Sequence, residues 1–328
     1  MMLAFIVRRL LQAVVVMAVV AFVSFSLFQF VGDPVVAMLG QDATPEQRDD
    51  LRRDLGLDEP IAVQFATFVK NAVRGDFGLS YRQGRKVSTL IQERLPATLE
   101  LSLAAAALAL LVGIPMGVYT ALRRKGVLAN LFLAVSLVGV SLPTFLIGIL
   151  LILVFAVLLG WLPSFGRGDT VDLGWWSTGL LTRDGWSHLI LPAITLCLFQ
   201  TTLIMRLVRS EMLEVLRTDY IKFARARGLP DRAVYFGHAL KNTLVPVITI
   251  TGLQLGAIIA FAIITETVFQ WPGMGLLFIQ SVQVADVPIM AAYLCLIALI
   301  FVTINLVVDL LYFVVDPRLR VERSGGGH

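Results

Sequence analysis

Charged residues are scarce in this sequence. Only 15% of its 328 residues are Asp, Glu, Lys or Arg, against about 25% in an average soluble domain, and 57% are hydrophobic. This composition excludes an ordinary soluble protein and indicates an integral membrane protein. The net charge of +4 does not point to nucleic acid, because cytoplasmic loops of membrane proteins are commonly rich in Lys and Arg.

Cysteine and histidine are also rare. Cys197 and Cys295 lie in apolar runs, where we expect small buried side chains without a metal-binding spacing. His188, His238 and His328 are isolated and form no His-x-x-x-His zinc pair. We therefore expect no metal site, and we interpret His188 as a polar anchor at a membrane interface.

Catalytic motifs are missing as well. A phosphate-binding loop needs Gly before Lys and Ser or Thr after it, and none of the five lysines follows a glycine. No serine lies in a Gly-x-Ser-x-Gly elbow. We expect no catalytic residue and no bound cofactor in this chain.

Long uncharged runs make up much of the chain. The first, residues 10–32, is long enough to cross about 30 Å of hydrocarbon. A signal peptide is the alternative, but this run is too long and ends in Gly-Asp-Pro instead of a small-x-small cleavage site. We predict a retained first span within residues 1–32. Five further spans follow in a transmembrane domain at 98–316, at about 98–122, 128–159, 189–208, 243–266 and 287–312.

Glycine and proline mark special positions in three of these spans. The pairs Gly113-x-x-x-Gly117 and Gly252-x-x-x-Gly256 allow close approach between helix backbones. Pro143 lies inside the long run 128–159, where we expect a kinked helix.

Three acidic residues lie in or beside the spans. Glu100, Glu266 and Asp309 fall near span ends, so we expect capping or bonds to neighbouring helices. A proton-coupled secondary transporter would be expected to carry mid-span acids and inverted repeats, and a membrane enzyme to cluster catalytic residues. Neither pattern is visible, which disfavours both classes.

Residues 33–97 form a polar segment with nine basic and ten acidic side chains. A capping-box pattern at 44–47 predicts a helix start, and Gly56 predicts its end. Asp58 is placed to cap a second helix that runs to about Arg74. We predict a folded helical segment outside the membrane.

Basic residues are unevenly distributed between the two sides of the membrane. An even number of spans puts both termini on one side, together with 123–125, 206–242 and a tail at 317–328. That side carries sixteen basic residues, and the short loops opposite carry two. The positive-inside rule therefore makes both termini cytoplasmic and places 33–97 outside.

The cytoplasmic segment 206–242 contains an amphipathic pattern. Apolar or small residues recur every three or four positions, at Leu213, Leu216, Tyr220, Phe223 and Ala224. Gly228 followed by Pro230 predicts that the helix stops there. A short helix between two spans must lie at the membrane surface.

This segment resembles the cytoplasmic EAA loop of ABC-importer permeases, in the dipeptide/oligopeptide/nickel (DppB/OppB-like) branch. The general family pattern is Glu-Ala-Ala-x3-Gly, whereas here Lys222-Phe223-Ala224 precedes Gly228, and Pro230 replaces an expected small polar cap. The similar residues are Arg206, Arg209, Glu211, 219–221, 224–229 and 239–242. Further similar motifs are Leu55-Gly56-Leu57-Asp58-x-Pro60, Gly75-Asp76-Phe77-Gly78-Leu79-Ser80, Arg94-Leu95-Pro96-x-Thr98-Leu99-Glu100-Leu101, Ser141-x-Pro143-x-Phe145, Gly160-Trp161-Leu162-Pro163 and Glu266-Thr-Val-Phe269-x-Trp271-Pro272-Gly273-Met274-Gly275.

The resemblance implies an all-α integral membrane protein with six transmembrane helices, the type I permease fold, in a bacterial inner membrane. It implies four kinds of partner or cofactor: a second homologous permease, two ABC ATPase subunits, ATP and Mg on those subunits, and a periplasmic or lipid-anchored substrate-binding protein. The helix 217–227 would dock on an ATPase subunit. The implied docking residues are Asp219, Tyr220, Ala224, Arg225, Ala226, Arg227, Gly228 and Leu229.

The sequence does not decide which partner one face of this helix contacts, and it does not identify the substrate. Tyr220, Ala224 and Gly228 share one stripe at i, i+4 and i+8, which fits either the ATPase or the permease's own spans. The resemblance implies peptides as substrate, with nickel chelates, glutathione or opine-like conjugates as alternatives. The sequence identifies no substrate-binding residue.

Overall fold

The structure is a computed structural model that describes residues 2–30, 34–39 and 43–315. The expected tail at 317–328 and the junction between the first span and the polar segment lie outside the described residues.

The described part of the chain is mainly helical. Two π-helical segments, Ile152–Leu158 and Ala233–Ala239, continue α7 and lead into α10. A two-stranded antiparallel ribbon joins β1 Val171–Asp172 to β2 Ser177–Thr178, with Val171 opposite Thr178. The helices are α1 Met2–Phe30, α2 Pro34–Leu39, α3 Pro45–Asp54, α4 Ile61–Val73, α5 Val87–Leu122, α6 Val127–Ser141, α7 Thr144–Leu151, α8 Arg183–Val215, α9 Asp219–Ala226, α10 Leu240–Val268, α11 Met274–Gln283 and α12 Val287–Val315.

Five of the described helices, α1, α5, α8, α10 and α12, are long and apolar enough to cross a membrane. Helices α5 and α8 contain 36 and 33 residues, so they measure about 54 and 50 Å and exceed the hydrocarbon thickness. The apolar run at 98–122 is only the C-terminal part of α5, and the run at 189–208 is the middle of α8. Hydropathy falls where charges begin, but the backbone hydrogen bonds of each helix continue beyond the apolar run.

The run at 128–159 differs from the expected kinked helix. Helix α6 ends at Ser141, and α7 begins at Thr144 after a bend of 112°. Leu142 adopts an extended backbone, as the residue before a proline commonly does, and Pro143 starts the next helix. The run is therefore a broken pair, which makes a sixth span if the pair is counted as one.

Close packing of α5 against α8 forms the centre of the helical core. A Cβ atom at Gly117 would lie 2.6 Å from the Cβ of Val208, and one at Gly113 would lie 3.0 Å from Ile204. The contact at Gly117 is too short for a side chain, so this position requires glycine, whereas a side chain at Gly113 would fit only if Ile204 moved slightly. The first small-residue pair is thus confirmed as a helix-packing site.

The second glycine pair joins α10 to α12. A Cβ at Gly252 or at Gly256 would come within 2.4 Å of Val308 or Phe301 respectively. Helix α1 also packs against α12. The prediction that these glycines allow close helix approach is therefore confirmed here also.

The polar segment begins as expected. Thr44 and Gln47 form a reciprocal capping box, with Oγ1 accepting from the Gln47 backbone at 3.3 Å, and Gly56 has a φ of +67° after α3. The expected cap by Asp58 is wrong, because α4 starts after Pro60, whose carbonyl accepts the first helical bonds. Gln64 instead binds the carbonyls of the preceding turn.

Candidate functional site

Helix α9 lies between the ends of α8 and α10, and we call this part of the molecule the α9 end. A turn after Val215 leads to Thr218, which has the extended backbone of an N-cap. Asp219 lies in the first turn and Arg225 in the last, which suits the helix dipole. Lys222 donates to Asp219 at 2.8 Å, and this bond and charge lower the pKa of Asp219 below its ordinary value.

The inner face of α9 packs on the permease itself. Ile221 is fully buried, and Ala224 is only 7% exposed, in the same apolar cluster as Met212 and Val234. Of the stripe whose direction the spacing left open, Ala224 faces the chain's own core, so its side chain is not on the exposed face of α9. The Tyr220 hydroxyl accepts a bond from Asn242 at 2.8 Å, which ties α9 to α10.

The outer face of α9 is open. The other seven expected docking residues are exposed: Asp219, Tyr220, Arg225, Ala226, Arg227, Gly228 and Leu229. Gly228 has a φ of +76°, and a Cβ there would meet no atom within 4 Å. The positive φ expected of the helix stop is confirmed, and only backbone conformation restricts this position.

Two exposed aromatic residues at the α9 end were missing from the expected docking set. Phe223 is 64% exposed and Phe236 is 54% exposed. The Arg227 guanidinium lies 5.8 Å from the Phe223 ring, so apolar and basic surface adjoin. An aromatic residue in the middle of a short polar-flanked helix is the pattern that could have revealed Phe223.

The opposite end of the molecule, where α10 meets α11, carries buried carboxylates, and we call it the far end. Glu100 pairs with Arg167 at 2.6 Å, and both side chains are more than 90% buried. Arg167 also donates to the Ser177 carbonyl at 2.7 Å, and the Trp176 indole donates to Glu100. This network ties the β1–β2 ribbon to α5. The partners of Glu100 lie in the segment before α8, so the expected capping or bond to a neighbouring helix is wrong for Glu100.

Glu266 holds the start of α11. Its fully buried carboxylate accepts from Thr98 Oγ1 at 2.6 Å and from the Leu276 backbone at 2.9 Å. A Cβ at Gly273 would lie 2.2 Å from this carboxylate, so glycine is required there. The expected interhelix bonding is confirmed for Glu266, which caps a helix from outside it.

Two further acidic residues connect distant segments. Asp309 pairs with Arg9 at 2.8 Å and so joins α12 to α1, as expected of an interhelix bond. Asp286, which sequence reasoning missed, accepts from Ser80 Oγ at 2.5 Å and from the backbone of Tyr81 at 3.1 Å. Ser80 and Tyr81 precede Asp286 by 206 and 205 residues, so no local sequence pattern could predict these contacts.

The remaining polar candidates are local. His188 Nδ1 lies 2.9 Å from the Asp184 carbonyl, one helical turn before it. Cys197 and Cys295 are free and buried, as expected of small core residues. Among residues 2–30, 34–39 and 43–315, no group of three or more His, Cys, Asp or Glu could hold a metal ion.

The architecture is a membrane-crossing helical core with a short exposed helix between two long spans. The chain belongs to the family described as "Binding-protein-dependent transport system inner membrane component", which matches residues 113–321. The family's N-terminal component matches residues 2–103. These are permease subunits of ABC importers, a class that works with ATPase subunits and a substrate-binding protein.

Curated relatives match along almost the whole chain. The dipeptide transport system permease protein DppB of Alkalihalophilus pseudofirmus is 39% identical, over 97% of this chain and all of that protein. The di/tripeptide permease DppB of Pseudomonas aeruginosa is also 39% identical, over 98% of this chain and all of that protein. The glutathione permease GsiC of Escherichia coli is 36% identical, over 98% of this chain and all of that protein.

Solved structures of the methionine ABC transporter MetNI in inward-facing conformations share the fold. One matches with a TM-score of 0.54 and 19% identity, over 69% of this chain and 96% of that chain. A second matches with a TM-score of 0.56, 18% identity and the same coverage. At this identity the likeness establishes the type I permease fold alone.

Proposed function

We propose that this chain imports peptides, as one of two homologous permeases that together line the translocation pathway. The observation that carries the proposal is its similarity, along nearly its full length, to permeases named for dipeptides and di/tripeptides. Glutathione is the second candidate substrate, because GsiC is similar over the same length. Glutathione is itself a tripeptide, so the two candidates share peptide chemistry.

The exposed face of α9 is the proposed contact with an ATPase subunit. We now assign the contact to the exposed aromatic residues Tyr220 and Phe223 and the basic rim of Arg225 and Arg227, with Ala224 supporting it from inside. Aromatic and Arg side chains are the types that most often dominate protein interfaces. Movement of the ATPase pair would then reach the spans through a rigid short helix.

The proposed topology puts α9 in the cytoplasm of a bacterium and the far end outside its inner membrane. The supporting observation is the sixteen-to-two imbalance of basic residues in short loops. A single cysteine in 45–74 should react with an impermeant thiol reagent in intact cells, and one in 217–232 should not. The opposite labelling pattern would place α9 in the wrong compartment and refute the docking proposal.

Reconstituted transport tests the substrate. The chain, its second permease, two ATPases and the binding protein should accumulate labelled dipeptide in proteoliposomes only when ATP is supplied. The permease chain alone should hydrolyse no ATP, because it contains no phosphate-binding loop. Accumulation of glutathione or a nickel chelate, with no accumulation of dipeptide, would reject the assignment of peptides as substrate. ATP hydrolysis by the permease chain alone would reject the proposal that separate subunits hydrolyse the ATP.

A further inference from the structure

A membrane-facing groove of about 770 Å³ lies between α1, α10 and α12 at the α9 end. Its polar lining residues are Arg8, Arg9, Gln12, Asn305 and Asp309, and the rest of the lining is apolar. The apolar lining includes Leu11, Val15, Val16, Leu253, Phe301 and Leu306.

The two arginines of this lining are not equivalent. Arg9 makes a two-point ion pair with Asp309, with N–O distances of 2.8 and 2.9 Å, so its charge is neutralised within the protein. Arg8 is exposed and makes no ion pair within the described part of the chain. The lining therefore keeps one positive charge, which complements a singly charged anion.

Polar and apolar groups are ordered along α1 by depth. Arg8, Gln12 and Val15–Val16 are spaced at i, i+4 and i+7 to i+8, so they share one helical face. Val16 lies about 12 Å further along the helix axis than Arg8. A basic group at the headgroup level with apolar surface below it matches the shape and polarity of a phospholipid.

The surroundings of the groove also favour lipid. Only 17% of the most apolar window of α1 is buried in the protein, the smallest share among the five described spans. Phe301 and Leu253 on the other walls are partly exposed, at 44% and 45%. Such a surface in a membrane is in contact with acyl chains unless another protein covers it.

We propose that this groove binds one phospholipid with an anionic headgroup. The headgroup phosphate contacts Arg8, with Gln12 and Asn305 as hydrogen-bond donors near it, and one acyl chain follows Val15, Val16 and Phe301. The assignment requires only that α1 begins at a headgroup layer. It holds whichever solute the importer carries.

Photo-crosslinking of the assembled importer tests the site. Phosphatidylglycerol and phosphatidylcholine, each with a photoreactive acyl chain, are incorporated separately, and crosslinked peptides are mapped by mass spectrometry. Phosphatidylglycerol should label peptides that contain residues 11–16 or 301–306 about fivefold more than phosphatidylcholine does, the factor expected for one basic residue at an anionic surface.

Charge variants sharpen this test. Arg8→Gln should remove the preference, Arg8→Lys should keep most of it, and Arg124→Gln, which removes an exposed arginine elsewhere at the α9 end, should leave it unchanged. Arg9 is unsuitable, because its loss would leave Asp309 unpaired. Equal labelling by both lipids, an unaltered preference in Arg8→Gln, or labelling of the second permease without labelling of residues 11–16 and 301–306 would each overturn the proposal.

Discussion

The far end and the α9 end hold their short segments in different ways. At the far end, Glu100, Glu266 and Asp286 are buried and each accepts bonds from a loop or a helix start. At the α9 end, α9 is held by the burial of Ile221 and Ala224 and by one side-chain bond to α10. Charge fixes the first set of contacts, and apolar packing holds the second.

This difference matters because the two kinds of contact respond differently to change. A buried carboxylate that loses its partner leaves an uncompensated charge, whereas a small apolar contact can loosen at less cost. The far end is thus built to keep one geometry. The α9 end leaves the aromatic side chains of Phe223 and Phe236 exposed.

The largest expected effect comes from breaking the far-end ion pair. Glu100→Ala leaves Arg167 buried without a counter-charge and should lower the free energy of unfolding by about 3–5 kcal/mol. Denaturant unfolding of the purified protein in detergent measures this loss. Glu93→Ala is the matched control on the same helix, since its pair with Arg85 is exposed and should contribute less than about 1 kcal/mol. Equal losses in the two variants would contradict the comparison.

The next effect in size is expected inside α9. Ala224→Asp puts an unpaired carboxylate into the apolar contact with the permease and should cost on the order of 3 kcal/mol. Hydrogen exchange of the amides in 219–226 should speed up while that of α5 stays slow. Ala226→Asp, on the exposed face two residues away, should leave exchange nearly unchanged. If both variants increased hydrogen exchange in α9 equally, burial of its inner face would not be the interaction that stabilises this helix.

A smaller effect is expected at the glycine that ends this region. Gly228→Val should cost about 1–3 kcal/mol through its positive φ alone, and we expect transport to fall sharply while the protein stays in the membrane. Gly228→Asn should be milder, because Asn tolerates this conformation better. Uptake and membrane level are measured together. Degradation of the Val variant, or equal transport by both, would argue against a role in coupling.

The smallest effect on stability is expected for the open aromatic face. Phe223→Ala should change the free energy of unfolding by no more than about 0.5 kcal/mol. It should nevertheless reduce the ATPase subunits that co-purify with the permease, since an interface anchor is lost. Trp175→Ala removes an even more exposed aromatic side chain at the far end and should retain the ATPase subunits. Unchanged co-purification in Phe223→Ala would remove this residue from the proposed contact.

The spans and the glycine pairs could be predicted because their causes are local. An uncharged run must cross the membrane, and small residues four positions apart face one neighbour, as Gly113 and Gly117 do against α8. The break at Pro143 was only half predicted. The proline explains a disturbance, but a bend of 112° depends on how both halves pack.

The assignment of α9's faces could not be read from spacing. Both sides of this eight-residue helix carry apolar residues, Ile221 and Ala224 on one and Tyr220 and Phe223 on the other. Which pair is buried depends on Met212 and Val234, which come from the preceding and following elements. The ion pair of the far end could not be predicted from the sequence either, because Glu100 and Arg167 are 67 residues apart and no local pattern connects them.

The length of α8 has a mechanical consequence. This helix begins beside the ribbon held by Glu100 and Arg167 and continues as one element to the turn before α9. A rod of about 50 Å that tilts by about 10° around its middle displaces each tip by roughly 4 Å, in opposite directions. If α8 tilts as a rigid rod, a displacement of its end beside α9 is accompanied by an opposite displacement of its start at Arg183. The Glu100–Arg167 pair ties the adjoining ribbon to α5, so a tilt of α8 would either strain this buried contact or carry α5 along with it.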